Sequence, residues 1–376
     1  MKKGLILFIF VVIVLCLAWS QKQYIMNVYH KNGVIDKIPV NSLDSITFDE
    51  RDLYPTEKTE IEITKIWDNG LYCAFPSLIK YHGKYYCAFR EGTSHAGDNG
   101  YIRIISSDDG INWDSQETII KQGSDLRDPF LSIKPEGQLF LLCGIRSEIE
   151  PGKFIVRTGI ALYDENDGSF QEVKEVNLMI SETHKYACEW LWRLTWYNGK
   201  GYGIAYYTDD EDCKVSLFVT DDGSYFRKIT DFNVEGNLTE GRIQFTSNGE
   251  MVTMIRRDDE NSKGLLGCSS FPYTDWRWEN LDFYVAGHDF IIENNYMVCS
   301  TRGVNEGYHV NIHWGKINEN FPWRYVIPSS GSWLGNTGYS SIINEDDSLW
   351  IAYYSQHDSE MPSIYLCKFS KRLIFH

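Results

Sequence analysis

The sequence contains no CxxC pair and no His/Cys cluster at metal-ligand spacing. No zinc site, other metal or cofactor is therefore expected. Basic side chains are few: 36 Lys and Arg stand against 52 Asp and Glu, a formal net charge of -16. That field argues against nucleic acid and anionic membranes as main partners. It leaves room for an anionic small substrate, because a local arginine cluster can override it. No convincing amphipathic helix appears after residue 60, and no apolar run reaches the roughly 20 residues of a membrane span. What the chain has in quantity is hydrophobic and aromatic, 43% and 15% of 376 residues. That is too much for a disordered chain and enough for one large core.

The chain begins with Lys2 and Lys3, an apolar run from Leu5 to Leu17, and then Ala18-Trp19-Ser20. These are the three regions of a secretory signal cut before Gln21. An uncleaved anchor is the competing reading. Lipid attachment at Cys16 fits less well, since bulky Leu15 stands where a small residue is wanted. Residues 1–20 are thus expected to lie outside the fold, and the protein to be a secreted or periplasmic monomer with no stable membrane span. Cleavage would remove two lysines and no acid, leaving a charge of -18. Cys87, Cys143, Cys299 and Cys367 each sit alone in an apolar strand-like run. They read as buried thiols and not as a disulfide framework.

One pattern recurs six times: an apolar run, a polar turn, and a second apolar run rich in aromatics. The copies are SLIKYHGKYYCAFR, LSIKPEGQLFLLCG, LTWYNGKGYGIAYY, IQFTSNGEMVTMIR, FIIENNYMVCSTR and SIINEDDSLWIAYY. Their turns centre on Gly83, Gly137, Gly199, Gly249, Asn294 and Asp347, at spacings of 54, 62, 50, 45 and 53 residues. Short strands around N-G, H-G and E-G turns read as β-hairpins. A hairpin returning every ~50 residues is the mark of a propeller blade. The expected fold is all-β, a six-bladed β-propeller over residues 61–376. A two-sheet sandwich would not account for six copies of one hairpin. Residues 21–60 add a small β segment, a hairpin turning at Asn32-Gly33, and a linker.

A second pattern lies later in the blades. Ser106-Ser107-Asp108-Asp109-Gly110-Ile111-Asn112-Trp113 fits S-x-D-x-G-x-x-W. Weaker copies run from Val219 to Phe226 and end at Trp278. An aspartate capping backbone N–H groups, a glycine at positive φ and an aromatic plug make this a structural turn. It is the Asp-box found in sialidase-type propellers, among others, and its aspartates are not placed in the site.

Positions nine before and seven after each turn face each other at the open end of the hairpin. If these hairpins are the innermost strands, the open ends meet at one mouth. The positions hold Ala74, Asp128, Trp190 and Glu240 before, and Arg90, Gly144, Tyr206, Arg256 and Tyr354 after. Tyr339 precedes the last turn, and Arg302 closes the fifth hairpin. So many charged groups are costly in a core unless paired. The competing reading is a ring of ion pairs sealing the funnel.

Several of these segments resemble the sialidase (neuraminidase) superfamily. EGRIQFTSNGEMVTMIR is similar to the family segment that holds the catalytic glutamate and the second substrate-binding arginine, which implies Glu240 and Arg256. FIIENNYMVCSTR resembles the segment ending in the third arginine, implying Arg302. Gly338-Tyr339-Ser340-Ser341-Ile342 resembles the stretch around the nucleophilic tyrosine, implying Tyr339. Asp98 in GDNG sits where the family keeps its acid/base. One departure matters: the family's first arginine aligns with Ala74. Arg90 across the hairpin, or Arg127, would have to stand in.

The resemblance implies a retaining exo-glycosidase that removes a terminal acidic sugar, sialic acid or a relative, from a glycan. Arginine forks match the sugar carboxylate. Tyrosine avoids the repulsion that a carboxylate nucleophile would meet at a carboxylated anomeric carbon. Glu240 would be its base, and Asp98 would protonate the leaving oxygen. Plainer roles stay open: a turn residue for Asp98, a packed aromatic for Tyr339, a salt bridge to Arg242 or Arg257 for Glu240, and a pair with Glu306 for Arg302. His95 could bind substrate or act as the acid instead, and Glu189 and Arg193 bring further charge near the third open end. His309 and His313 share a strand face without a third ligand. The alternatives to the exo-glycosidase are a propeller lyase or hydrolase of uronate-terminated glycans, and a non-catalytic carbohydrate-binding propeller.

Overall fold

The computed structural model describes residues 25–29, 35–39, 60–97, 99–180, 187–209, 212–258, 263–304, 308–317, 319 and 321–375. The expected signal segment, the turn at Asn32-Gly33 and Asp98 lie outside the described residues. No described helix is long and apolar enough to cross a membrane.

The chain is an all-β propeller of six blades. Each blade opens with one of the six hairpins. The first strands are Tyr72–Tyr81, Ser124–Ile133, Cys188–Tyr197, Leu238–Phe245, Asp289–Glu293 and Gly338–Asn344. Each contacts the next, and the last contacts the first, so the ring closes around an axis. Apolar alternation along strands buried on both faces fills the space between blades. Six apolar clusters result, one at each junction. Cys87, Cys143, Cys299 and Cys367 are fully buried within them. All eight described cysteines are free thiols.

The seam between the last blade and the first is closed by pairing. Strand Ile61–Trp67 precedes blade 1 in sequence, yet forms the outer strand of blade 6 against Ser363–Ser370. Such an inter-terminal pairing leaves no local pattern in the sequence. Blade 2 replaces a regular fourth strand by two fragments, Ser169–Phe170 and Lys174–Val176. Its third strand also pairs in parallel with blade 3 at Val156/Cys188 and Arg157/Glu189. The hairpin of Ile25–Tyr29 and Ile35–Pro39 extends the outer edge of blade 5 through Ile35 and Arg324.

The S-x-D-x-G-x-x-W turn is built one residue later than the pattern suggests. Asp109, not Asp108, accepts the N–H groups of Ile111 (2.8 Å) and Asn112 (2.9 Å), while Gly110 N–H donates to Ser107 Oγ at 2.8 Å. Asp222 does the same for Ser224 and Tyr225. These carboxylates lie in turns beyond the blades' third strands and are spent on backbone.

Side-chain bonds fasten the first strands to one another. Ser341 accepts from Leu78 N–H (2.9 Å), Ser77 from Leu131 N–H (2.8 Å), and Asp289 from Ile342 N–H (2.9 Å). Asp289 also takes Arg242 Nε at 2.7 Å and lies 3.6 Å from Arg193 Nη1. Below these bonds an axial cavity of about 240 Å³ is lined from all six first strands, by Leu78, Phe130, Leu194, Arg242, Asp289 and Ile342 among others.

Candidate active site

Five of the six first strands carry a bulge at the same place, near the open end of the hairpin. The extra residues fall at 75–76, 128–129, 192–193, 239–240 and 339–340. Phe75, Asp128 and Tyr339 adopt positive φ there (60°, 44° and 42°). A bulge re-aims a side chain that would otherwise alternate between the faces of the blade. Left-handed backbone at non-glycine residues persists only where the surroundings enforce it. Here these residues gather around the axis. The equal-length hairpin premise holds for Ala74/Arg90 and Trp190/Tyr206, but the bulges shift blades 2 and 6: Arg127 faces Gly144, and Gly338 faces Tyr354.

Glu240 and Tyr339 meet. The Tyr339 hydroxyl donates to Glu240 Oε1, which also accepts from Arg256 Nη1 at 3.0 Å. Gly287 N–H donates to the other carboxylate oxygen at 2.6 Å. Gly287 has φ of 53°, and a Cβ on it would lie 2.4 Å from the Tyr339 ring, so only glycine lets the phenol and this N–H share the carboxylate. Burial drives the Glu240 pKa upward, but Arg256, the tyrosine hydroxyl and Gly287 N–H outweigh it, and the carboxyl is held below its usual range. Burial, then the Glu240 charge, raise the Tyr339 phenol well above its ordinary value. A neutral phenol thus donates to a charged carboxylate. The salt bridges to Arg242 or Arg257 considered for Glu240 do not form; Arg257 donates to Lys263 O (3.0 Å) and to Asn280.

The arginines divide into two kinds. Arg256 keeps 18% of its side chain exposed and also bonds Asp258 at 2.9 Å. Arg302 is 3% exposed, with its guanidinium 4.9 Å from the centre of the Tyr339 ring. It donates to Thr337 O (2.8 Å) and Tyr354 Oη (3.0 Å), both uncharged. Arg127 is 12% exposed and stands 5.3 Å from the Phe75 ring. Arg90 is a different matter. It faces Ala74 as expected, but it is fully buried, donating to Asp125 (2.7 Å) and to Ser94 O (2.7 Å). It braces the loop after blade 1's second strand.

His95 reaches the mouth from that loop, packed against Phe75, Tyr72 and the half-exposed Trp333, with Nδ1 2.9 Å from Tyr72 Oη. Burial, then Arg127, Arg302 and Arg90, push its pKa down to about 3. It is neutral at ordinary pH and is no imidazolium acid. Arg193 acts as a strut: it donates to His288 O (2.8 Å) and Ser340 O (2.9 Å), linking blade 3 to blades 5 and 6. Glu189, 2% exposed at the start of its strand, pairs in register with Arg157 and Tyr207, away from Tyr339. His313 stacks on Phe283, and no metal cluster exists among the described residues. A surface cleft of about 850 Å³ between blades 3 and 4, walled by Tyr207, Phe232 and Leu238, lies apart from these groups.

Asp128 has a larger part than its position at the open end suggested. It is 9% exposed, and its Oδ1 has no hydrogen-bond partner among the described residues. Burial, opposed by Arg127 and reinforced by Glu240, raises its pKa to about 7. In the unfolded chain a carboxyl titrates near ~3.9. The folded state therefore binds the extra proton, and stability falls as pH rises from ~4 to ~7. Asp128→Asn keeps the shape without the charge. It should gain on the order of 2–4 kcal/mol over the wild type at pH 8 and almost nothing at pH 4. Urea unfolding at the two pH values measures this, and an equal difference at both would remove the buried charge from the account.

No protein-family profile matches the sequence, and no curated protein does. Solved structures do resemble the fold. A protein of unknown function from Dyadobacter fermentans superposes with a TM-score of 0.72 at 15% identity, over 83% of this chain and 100% of that one. The Trypanosoma rangeli sialidase gives 0.61 at 14% identity, over 81% of this chain and 56% of its own. The phage phi92 endosialidase gives 0.65 at 10% identity, over 83% and 69%. The chain thus spans little more than half of the trypanosomal enzyme. At such identities the likeness speaks for architecture, and the chain has the sialidase-like β-propeller fold.

Proposed function

We propose that the protein is a retaining exo-glycosidase that releases a terminal acidic sugar from a glycan, with Tyr339 as nucleophile. One observation carries the reading. The Tyr339 hydroxyl is hydrogen-bonded to a charged, three-fold anchored Glu240, with the Arg302 guanidinium over its ring. A phenol so raised in pKa attacks only if its proton leaves as the new bond forms, and Glu240 is placed to receive it. The nearby guanidiniums favour the phenolate that develops. Arg302, whose hydrogen-bond partners among the described residues are uncharged (Glu306 lies outside them), and the partly exposed Arg256 would orient the carboxylate of the sugar. Asp98 is proposed from the sequence as the acid that protonates the leaving oxygen and then activates water. Secretion through the N-terminal signal belongs to the same proposal.

The missing arginine at Ala74 bears on which sugar is taken. Phe75 turns its ring toward Tyr339, with centres 4.8 Å apart. An aromatic ring backed by Arg127 thus stands where the family has an arginine, and a uronic or other ulosonic acid suits it as well as sialic acid does. The test is a release assay on sialosides, ulosonic acid glycosides and uronides, with product stereochemistry followed by NMR. Release of one sugar acid with retained configuration is expected. An unsaturated product would favour a lyase, and binding without release would favour a lectin.

A further inference from the structure

We infer that the mouth holds a second anion-binding subsite, formed by Arg127 and Arg146 of blade 2, for a carboxylate or sulfate on the sugar next to the one released. Its place in the substrate rests on the glycosidase reading; its binding chemistry does not.

Arg146 lies on Leu139–Glu150 and faces Asp125 across the strand pair. Asp125 and Arg127 are two apart and share a face. The two oxygens of Asp125 bond Arg90 Nε (2.7 Å) and Arg127 Nη1 (3.4 Å). The guanidiniums of Arg90 and Arg127 thus share Asp125, and Arg146 stands across the strand pair from it, in a chain whose net charge is -16. The local sign opposes the global one, so an anion drawn here is drawn by this cluster. Burial, then Arg127, lower the Arg146 pKa, against the opposing pull of Asp125 and Glu148. The next carboxylate on the strand, Glu148, is turned toward the hairpin tip, accepting Gly152 N–H at 2.6 Å.

Arg146 is also held ready. Its guanidinium carbon is 3.4 Å from the centre of the Phe154 ring, and the group has no hydrogen-bond or ion-pair partner among the described residues. An arginine laid over an aromatic ring is fixed in orientation, with its planar fork of donors still available. The fork matches the oxygens of a carboxylate or a sulfate. Arg127 stands over Phe75, and Phe75 packs on Tyr339, so the cluster begins one aromatic ring from the proposed nucleophile. The two strands that carry Arg146 and Phe154 are each 12 residues long, more than any other pair in the ring. They form the blade 2 side of the mouth. The substrate class is then a glycan whose terminal acidic sugar is joined to a second anionic residue.

The experiment is calorimetric titration of sodium sulfate, sodium glucuronate and glucose into the intact protein at low ionic strength. It is run on the wild type, Arg146→Gln and Arg146→Lys, each checked by thermal melting. Sulfate and glucuronate should bind and glucose should not. Arg146→Gln should weaken sulfate binding at least about tenfold, and Arg146→Lys, with the charge but not the fork, by less. An Arg302→Gln variant separates sulfate bound at the other guanidinium, since the Arg146-dependent part should persist. The tighter of sulfate and glucuronate names the group that the subsite reads. Sulfate binding in Arg146→Gln equal to wild type, or glucose binding equal to glucuronate, overturns the proposal. Because the titration needs no turnover, a protein that binds sulfate through Arg146 but hydrolyses nothing would sink the glycosidase reading and keep the subsite.

Discussion

Tyr339→Phe should lose turnover by on the order of 10³-fold or more while still binding the sugar acid. The substitution removes one oxygen and leaves the aromatic contacts with Phe75, Trp192 and Tyr354 in place. Arg302 keeps a ring beneath its guanidinium, and Arg256 keeps Glu240. The loss should therefore appear in kcat and only weakly in KM. Mass spectrometry of protein quenched during turnover adds a direct readout. The wild type should carry a sugar adduct on the peptide containing Tyr339, and the variant none. Activity retained in Tyr339→Phe would show that the phenol–carboxylate pair is architectural.

Asp289→Asn should be the most destabilising single change near the axis, by about 3–5 kcal/mol. Asp289 is 2% exposed and serves four groups at once: Arg242, Arg193 and the N–H groups of Ile342 and Phe290. An asparagine keeps the volume but leaves two buried guanidiniums without their counter-charge. Burial presses the Asp289 pKa upward, yet Arg242, Arg193 and the Ile342 N–H hold it below the usual value. Its contribution is then fully present above ~4 and lost as pH falls through the lower, folded-state value. Chemical unfolding of both proteins at pH 7 should show the full gap, and the gap should narrow in acid below that point. A gap of less than ~1 kcal/mol at pH 7 would mean that neighbouring groups take over the charge balance.

The six hairpins were legible because each is local: two apolar runs and a turn residue suited to left-handed backbone, as Gly83, Gly137, Gly199, Gly249 and Asn294 prove to be. The encounter of Glu240 with Tyr339 was reachable only through counting offsets and family likeness, since 99 residues separate them. The bulges were legible only in part. Pro76 and Pro129, lacking an N–H for the ladder, are the one local sign of an extra residue, and the bulges at 192–193, 239–240 and 339–340 carry none. Arg90 and Arg193 show the converse difficulty. A charged residue near the mouth has the same sequence signature whether it faces a ligand or holds two strands together. Only the positions of Asp125, His288 O and Ser340 O tell the roles apart.

Closure by Ile61–Trp67 ties the site to the chain's own beginning. The junction it seals buries Ile66 with Phe75 and Tyr354, and Tyr339 packs on that same cluster. During synthesis this stretch emerges some three hundred residues before its partner Ser363–Ser370, and must wait as a bare apolar edge. The seat of the phenol is complete only when the first strand of the ring to be made is recaptured by the last, so a half-made wheel has no working centre.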